Sequence, residues 1–180
     1  MRKCIGGVLL VTALATSPAL AAAQRRPAAR PAAPSAQRAR FAAEINWTSD
    51  YNFGIGGRGV FPLESLFPGT PLDGIVSFDY FFPSAAAGVS AHYWEINGNV
   101  AYRFSVPRSS SLGPYGGGGL NIIHASATAG TVSSSVTKAG LNLLGGTTFK
   151  LKGSNLTPFA EARGELGGGK TFILTGGVRF

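Results

Sequence analysis

The feature that most constrains this chain is the alternation of apolar and polar residues in its closing segment, Lys170–Phe180. Phe172 and Leu174 fall on one face of this segment, and Thr175 and Arg179 fall on the other. A period of two indicates a β-strand, because successive side chains in a strand point to opposite faces. About ten residues is also the length with which a tilted strand crosses a bilayer. A soluble sheet could use the same strand, so the choice between a soluble sheet and a membrane-spanning one depends on the rest of the chain.

Turn residues divide the chain after residue 40 into about eight segments that repeat this alternation. The longest connection is Pro62–Gly74, which has room for one helical turn at Glu64–Leu66. No segment has a convincing helical pattern, so we predict an all-β fold. The predicted strands are 41–48, 52–61, 75–82, 91–105, 112–127, 138–152, 157–166 and 170–180.

Two further segments precede the strands. Residues 1–23 have the basic start, short apolar core and small-residue end of a secretory signal peptide, and they contain the only cysteine, Cys4. Residues 24–40 are rich in Arg, Ala and Pro, which predicts a disordered periplasmic tether. Seven of the 16 Lys and Arg residues lie before residue 41, whereas all eight acids lie after it. The body is therefore nearly neutral, which argues against nucleic-acid binding.

The charged residues of the predicted strands lie on the face opposite the apolar one. In strand 91–105, for example, Glu95 and Arg103 alternate with Trp94 and Tyr102. A soluble sandwich can scatter charges along strands and loops, whereas an Arg or Lys on the lipid face of a membrane barrel costs about 2–4 kcal/mol at mid-depth. The uncharged apolar face therefore favours a closed antiparallel transmembrane β-barrel with up-and-down topology, spanning residues 41–180.

The opposite face should line the inside of that barrel. About eight strands leave an interior just wide enough for side chains to fill. Five acids and six bases would nearly balance there and form a paired network, while other charges, such as Asp73 and Lys138, fall in turns or at strand ends. The predicted members of the network are Glu44, Arg58, Asp79, Glu95, Arg103, Lys150, Lys152, Glu161, Arg163, Glu165 and Arg179.

Large aromatic residues cluster towards the strand ends on the apolar face. Membrane barrels carry such girdles at the two interfaces of the bilayer. The predicted girdle residues are Phe41, Trp47, Phe53, Phe61, Tyr80, Trp94, Tyr102 and Phe104.

These features together resemble a known family. The eight alternating strands, Pro114–Asn121, Thr157–Arg163 and the closing Thr175–Phe180 are similar to the small outer-membrane β-barrel proteins of Gram-negative bacteria, which include the barrel domain of outer membrane protein A and its X and W relatives. The resemblance implies an outer-membrane location with both chain termini in the periplasm. It also implies that the terminal strand is recognised by the barrel-assembly machinery, with periplasmic chaperones as further partners during biogenesis. The residues that would carry this recognition are Phe172, Leu174, Val178 and Phe180.

The same topology assigns the connections to the two sides of the membrane. The connections near 49–51, 83–90, 126–137 and 167–169 would be extracellular. The longest connection, Pro62–Gly74, would be periplasmic, which departs from the long outer loops usual in the family and weakens a role in adhesion.

The sequence offers little evidence of catalysis. His124 and Ser126 resemble the His-x-Ser of outer-membrane lipid A deacylases, but no acid lies between Ser126 and Glu161 to orient the histidine. Two isolated histidines without a mature cysteine do not form a metal site, and the glycines after Pro114 lack the Lys-Ser/Thr of a phosphate-binding loop. We predict no enzyme activity, no metal and no cofactor.

Three functions are therefore considered. The first is a monomeric structural or surface-interaction barrel that contacts outer-membrane lipids and has a charge-filled interior. The second is a narrow, porin-like conduit for small or apolar solutes. The least supported is a lipid A-modifying hydrolase.

Overall fold

A computed structural model describes residues 38–48, 52–167 and 171–180. Eight antiparallel strands form a closed barrel, and each strand pairs with its neighbours in the sequence. The prediction of an all-β, up-and-down barrel is therefore confirmed. The strands are β1 (Arg40–Thr48), β2 (Asn52–Pro62), β3 (Leu72–Phe82), β4 (Val89–Arg103), β5 (Leu112–Ala129), β6 (Val132–Phe149), β7 (Thr157–Leu166) and β8 (Thr171–Arg179).

The period-two alternation separates the inside of the barrel from the outside. On β1, Ile45 is 57% exposed whereas its neighbour Asn46 is fully buried. Every Asp, Glu, Lys and Arg in the eight strands occupies one of the alternate positions that face the inside of the barrel. The barrel thus has an apolar outer surface and a largely polar interior, the reverse of an ordinary soluble protein.

The barrel closes between the first and last strands. Pairing of β1 with β8 runs from Ala42 opposite Arg179 to Thr48 opposite Ile173. Beyond that ladder, the amide of Phe180 donates a hydrogen bond of 2.9 Å to the carbonyl of Phe41. Closure removes the free strand edges that an open sheet would expose.

The two ends of the barrel differ in their connections. The end at which β1 begins and β8 ends, here called the near end, carries connections 63–71, 104–111 and 150–156. The opposite far end carries connections 49–51, 83–88, 130–131 and 167–170. The predicted periplasmic location of the near end stays a prediction.

The connection between β5 and β6 is shorter than predicted. Residues 126–137 were expected to form a loop, but β5 and β6 stay paired as far as Ala129 opposite Val132. Gly130, with φ of 60°, begins a two-residue hairpin turn in which glycine readily adopts a positive φ. The Thr and Val residues around this turn favour extended backbone. The hairpin, together with the start of β4, therefore extends beyond the strands on either side.

The connection between β2 and β3 is also shorter than predicted, because β3 begins at Leu72 rather than at Ile75. Within it, the carbonyl of Leu63 accepts hydrogen bonds from the amides of Leu66 (3.0 Å) and Phe67 (2.9 Å), which makes the single turn expected near residues 64–66. The earlier start of β3 places Asp73 inside a strand, where it is buried, and not in a turn.

Several predictions lie outside the described residues. The signal peptide, the tether up to residue 37, the turn at 49–51 and residues 168–170 belong to this group. In the part of the chain that is described, no helix is long and apolar enough to span a bilayer.

Candidate functional site

The interior of the barrel contains two clusters of ion pairs, each centred on an arginine. In the first, Arg58 donates from Nε to Glu44 and from its two terminal nitrogens to the carboxylate of Glu161, at 2.8 and 3.1 Å. The hydroxyl of Tyr115 donates a further hydrogen bond of 2.9 Å to Glu161. The Arg58 guanidinium also lies 4.6 Å from the ring centre of Phe159. A two-pronged arginine–carboxylate pair of this kind fixes the orientation of both side chains.

Arg163 is the centre of the second cluster and is 1% exposed. Its Nη2 donates to Glu95 and lies 3.4 Å from Asp79, and its Nε donates to Glu165 at 3.2 Å. Its Nη1 lies 4.0 Å from Glu161, which links the two clusters. We call the combined set the central network. Its members are Glu44, Arg58, Asp79, Glu95, Glu161, Arg163 and Glu165.

Buried asparagines extend the central network. The side-chain amide of Asn46 donates to Asp79 at 2.7 Å, and that of Asn97 donates to Asp79 at 3.1 Å and to Glu95 at 3.0 Å. Asn142 in turn donates to Asn97 at 2.7 Å. These amides were not among the predicted network members, although their inward alternation is visible in the sequence.

Two apolar clusters lie on either side of the central network. Val60, Ile75, Ala101, Tyr115 and Leu144 pack together towards the near end. Towards the far end, Phe81, Tyr93, Ile123 and Ile173 form a second cluster. The barrel is therefore filled in layers, which are apolar, ionic and again apolar along its length.

Four predicted network members lie away from the central network. Lys150 and Lys152 follow the last residue of β6 and are exposed. Arg103 ends β4 and lies 3.5 Å from Asp73, and Arg179 lies at the end of β8. Alternation shows which way a side chain points but not how far along the barrel it lies, so it could not separate these bases from the others.

This placement corrects the predicted charge balance. Five carboxylates surround only two guanidiniums in the central network, in place of the expected near equality. Among the described residues, Glu44 Oε1, Glu95 Oε2 and Glu165 Oε2 have no hydrogen-bond partner. The two arginines therefore hold together more acids than their own charge neutralises.

Three of these bases, Arg103, Lys150 and Arg179, line a cavity of about 370 Å³ at the near end, which we call the vestibule. The apolar side chains of Val60, Ile75 and Tyr115 contribute to its wall and belong to the near-end apolar cluster. That cluster separates the vestibule from the central network. The charged residues of its lining are Arg38, Arg40, Asp73, Arg103, Lys150 and Arg179.

The predicted girdle aromatics lie on the outer surface in two groups. Trp47, Phe53, Tyr80 and Trp94 lie towards the far end, where Trp47 is opposite Phe53 and Tyr80 is opposite Trp94 in the strand registers. The near-end group contains Phe41, Phe61, Tyr102 and Phe104, of which the last two meet edge to face at 5.4 Å.

The two histidines take part in the far-end aromatic group. His124 stacks on Trp94 with ring centres 5.1 Å apart, and its Nδ1 is hydrogen-bonded to the hydroxyl of Thr137 at 2.8 Å. His92 Nδ1 is hydrogen-bonded to the hydroxyl of Tyr80 at 2.6 Å. Neither contact is the carboxylate that would orient a catalytic histidine. No group of three or more potential metal ligands occurs among residues 38–48, 52–167 and 171–180.

The residues predicted to guide barrel assembly lie on the outer face of β8 and at the residue that follows it. Phe172, Leu174, Val178 and Phe180 are all exposed. Their place in the folded barrel does not bear on recognition during biogenesis, so this role stays a prediction.

The barrel is similar to solved structures of other barrels. The N-terminal β-barrel domain of Pseudomonas aeruginosa OprF is 16% identical, with a TM-score of 0.61, over 79% of this chain and 95% of that domain. Neisserial surface protein A is 19% identical, with a TM-score of 0.59, over 78% of this chain and 94% of that protein. A scan against models of protein families and a search of curated proteins found no match. At these identities the likeness establishes the fold, which is that of the small eight-stranded outer-membrane barrels.

Proposed function

We propose that this chain, with the fold of the small eight-stranded outer-membrane barrels, is an integral outer-membrane protein with a structural or surface-interaction role and no catalytic activity. The observation that carries this proposal is the distribution of charge. In the eight strands every charged residue lies on the inward alternation, and the outer surface between the two aromatic groups is apolar.

The energetics of the outer surface support membrane insertion. Four large apolar side chains of this surface are at least half exposed, namely Ile45 (57%), Phe78 (50%), Leu120 (64%) and Leu143 (70%). In a soluble protein they would face water. Burial of apolar surface gains about 25 cal/mol per Å², so lipid around this surface provides a large stabilisation that water cannot. Contiguous apolar patches of more than a few hundred Å² are rare on soluble monomers.

Membrane insertion predicts heat-modifiable migration. The refolded protein should require detergent to stay in solution, and unheated and boiled samples should migrate at different positions on a gel run in SDS. The reason is that closed strand pairing survives SDS until heat breaks it. A protein that is soluble and monodisperse without detergent, with one gel position at all temperatures, would contradict the proposal.

The filled interior separates the structural role from that of a conduit. Because the central network and the two apolar clusters occupy the lumen, we expect no defined channel conductance in planar bilayers, where an open porin serves as the positive control. The vestibule is the feature of the barrel that favours a conduit. It does not continue through the barrel, because the near-end apolar cluster lies between it and the central network. Reproducible unitary conductance steps from purified protein would replace the structural role with that of a conduit.

A further inference from the structure

The vestibule has an excess of positive charge. Among the described residues that line it, five are basic and one, Asp73, is acidic. Asp73 lies 3.5 Å from Arg103. This pair leaves four further bases without an acid in the lining, namely Arg38, Arg40, Lys150 and Arg179. Like charges gathered around one cavity create a positive potential that attracts anions.

Arg179 is the unusual member of this group. The residue is only 6% exposed, and its guanidinium lies 5.3 Å from the ring centre of Tyr115 and 5.1 Å from that of Phe159. Within the described residues its guanidinium makes no ion pair at 4 Å or less, although Glu161 and Asp73 attract it from further away, and its Nε has no hydrogen-bond partner. Arg58 and Arg163, the other buried arginines, each contact at least two carboxylates. A buried guanidinium without a directly paired anion is costly, because a charge removed from water needs a partner.

The geometry and the charge point to one class of ligand. We propose that the vestibule binds a small oxyanion with the chemistry of a phosphate group. Arg179 contacts this anion on the buried side of the vestibule, and the exposed bases contact it at the opening. The planar fork of arginine donors matches phosphate oxygens, and Lys150 adds a point charge. A volume of about 370 Å³ is at the lower end of the range of small-molecule sites.

The segment that precedes the vestibule in the sequence does not provide this anion. Residues 24–37, which precede the vestibule in the sequence, contain Arg25, Arg26 and Arg30 and no acid. Their charge has the same sign as that of the vestibule. This segment therefore does not supply the ligand.

Binding should be tested with inorganic phosphate on the full refolded barrel in non-ionic detergent. Calorimetric titration at constant ionic strength should give a saturable isotherm, and the Arg179 Nε resonance of ¹⁵N-arginine-labelled protein should shift with the same dissociation constant. Replacement of phosphate by chloride should abolish both signals. A heat that does not saturate, or an unchanged Arg179 resonance, would overturn the proposal.

Variants assign the binding to the vestibule. Arg179→Gln should weaken phosphate binding roughly tenfold or more, because hydrogen bonds to charged groups contribute strongly. Lys150→Gln should weaken it about two- to fivefold, as expected of an exposed charge. Lys152→Gln is the matched control, since Lys152 is exposed two residues away and does not line the cavity. Equal effects of Lys150→Gln and Lys152→Gln would contradict a defined site.

Asp73→Asn gives a test that misfolding cannot imitate. Removal of the one acid of the lining should tighten phosphate binding about two- to fivefold. If Arg179→Gln does not fold, the opposite effects of Lys150→Gln and Asp73→Asn decide the question. Unchanged or weaker binding by Asp73→Asn would count against the proposal.

A further arm identifies the source of the phosphate. Micelles doped with phosphatidylglycerol should displace inorganic phosphate if the natural ligand is a lipid headgroup. If they do not, the ligand is a free oxyanion. The proposal does not depend on membrane location, so failure of the phosphate titration leaves the heat-modifiable migration as a separate result.

Discussion

Arg163→Met should destabilise the barrel by about 3–5 kcal/mol, the cost of removing one partner from a buried ion pair. Arg163 contacts Glu95, Asp79 and Glu165 and is almost completely buried, so the substitution leaves several carboxylates facing one another without their shared cation. Methionine keeps an unbranched side chain, which limits the loss of packing. The free energy should be measured by urea unfolding of the barrel in lipid vesicles, with tryptophan fluorescence as the probe.

Two further variants separate the loss of charge from the loss of packing. Lys152→Met removes an exposed base that was predicted to belong to the same network, and it should change stability by no more than about 0.5 kcal/mol. Glu95→Gln in the Arg163→Met background should recover part of the loss, because it removes one of the uncompensated acids. Equal unfolding midpoints for Arg163→Met and Lys152→Met would show that the central network does not stabilise the barrel.

Gly117→Ala should impair folding of the barrel, with a loss of about 1–3 kcal/mol or more. A Cβ at this position would overlap the carbonyl oxygen of Val100 and lie 2.7 Å from Cα of Ala101. These are backbone atoms of β4, so they cannot rotate away, and β4 and β5 would have to separate. The fraction of heat-modifiable protein after refolding and the urea midpoint both measure the effect.

Gly98→Ala is the matched control for this prediction. Gly98 lies on the neighbouring strand, faces outward and has no atom within 4 Å of an added Cβ, so stability should change by no more than about 0.5 kcal/mol. Ala101→Gly should not rescue Gly117→Ala, because the obstructing atoms belong to the backbone. Equal stabilities of the two glycine variants would mean that the close approach of β4 and β5 is not needed.

The faces of the strands could be predicted from the sequence because the period of a strand is fixed at two. Alternation alone placed Glu44, Arg58, Asp79 and Arg163 inside the barrel, although nothing in the sequence shows which of them meet. Contacts between distant strands depend on strand tilt and stagger, which are properties of the closed barrel. The partner choices of Arg58 and Arg163 could therefore not be predicted.

Strand ends were the weaker part of the prediction. Lys150 and Lys152 keep the inward alternation of β6 but follow its last residue, so they are exposed. Asp73 was assigned to the connection Pro62–Gly74, before the predicted start of the third strand. In the structure Asp73 is the second residue of β3, and it lines the vestibule.

Glycines illustrate the same limit. Gly98 and Gly117 lie on neighbouring strands, yet only Gly117 faces a tightly packed backbone. The difference depends on the side of the sheet that each residue occupies and on the distance to the next strand. Neither property follows from the residue type.

The long sequence separations within the interior also determine how the barrel can fold. Arg58 and Glu161 are 103 residues apart, Arg163 and Asp79 are 84 apart, and Thr175 and Asn46, which share a hydrogen bond of 2.6 Å, are 129 apart. A half-assembled sheet would contain only one partner of each pair. It would lose the conformational entropy of loop closure without gaining the stabilising contact. High contact order of this kind slows folding, and we expect these long-range contacts to form only when the two halves of the sheet come together.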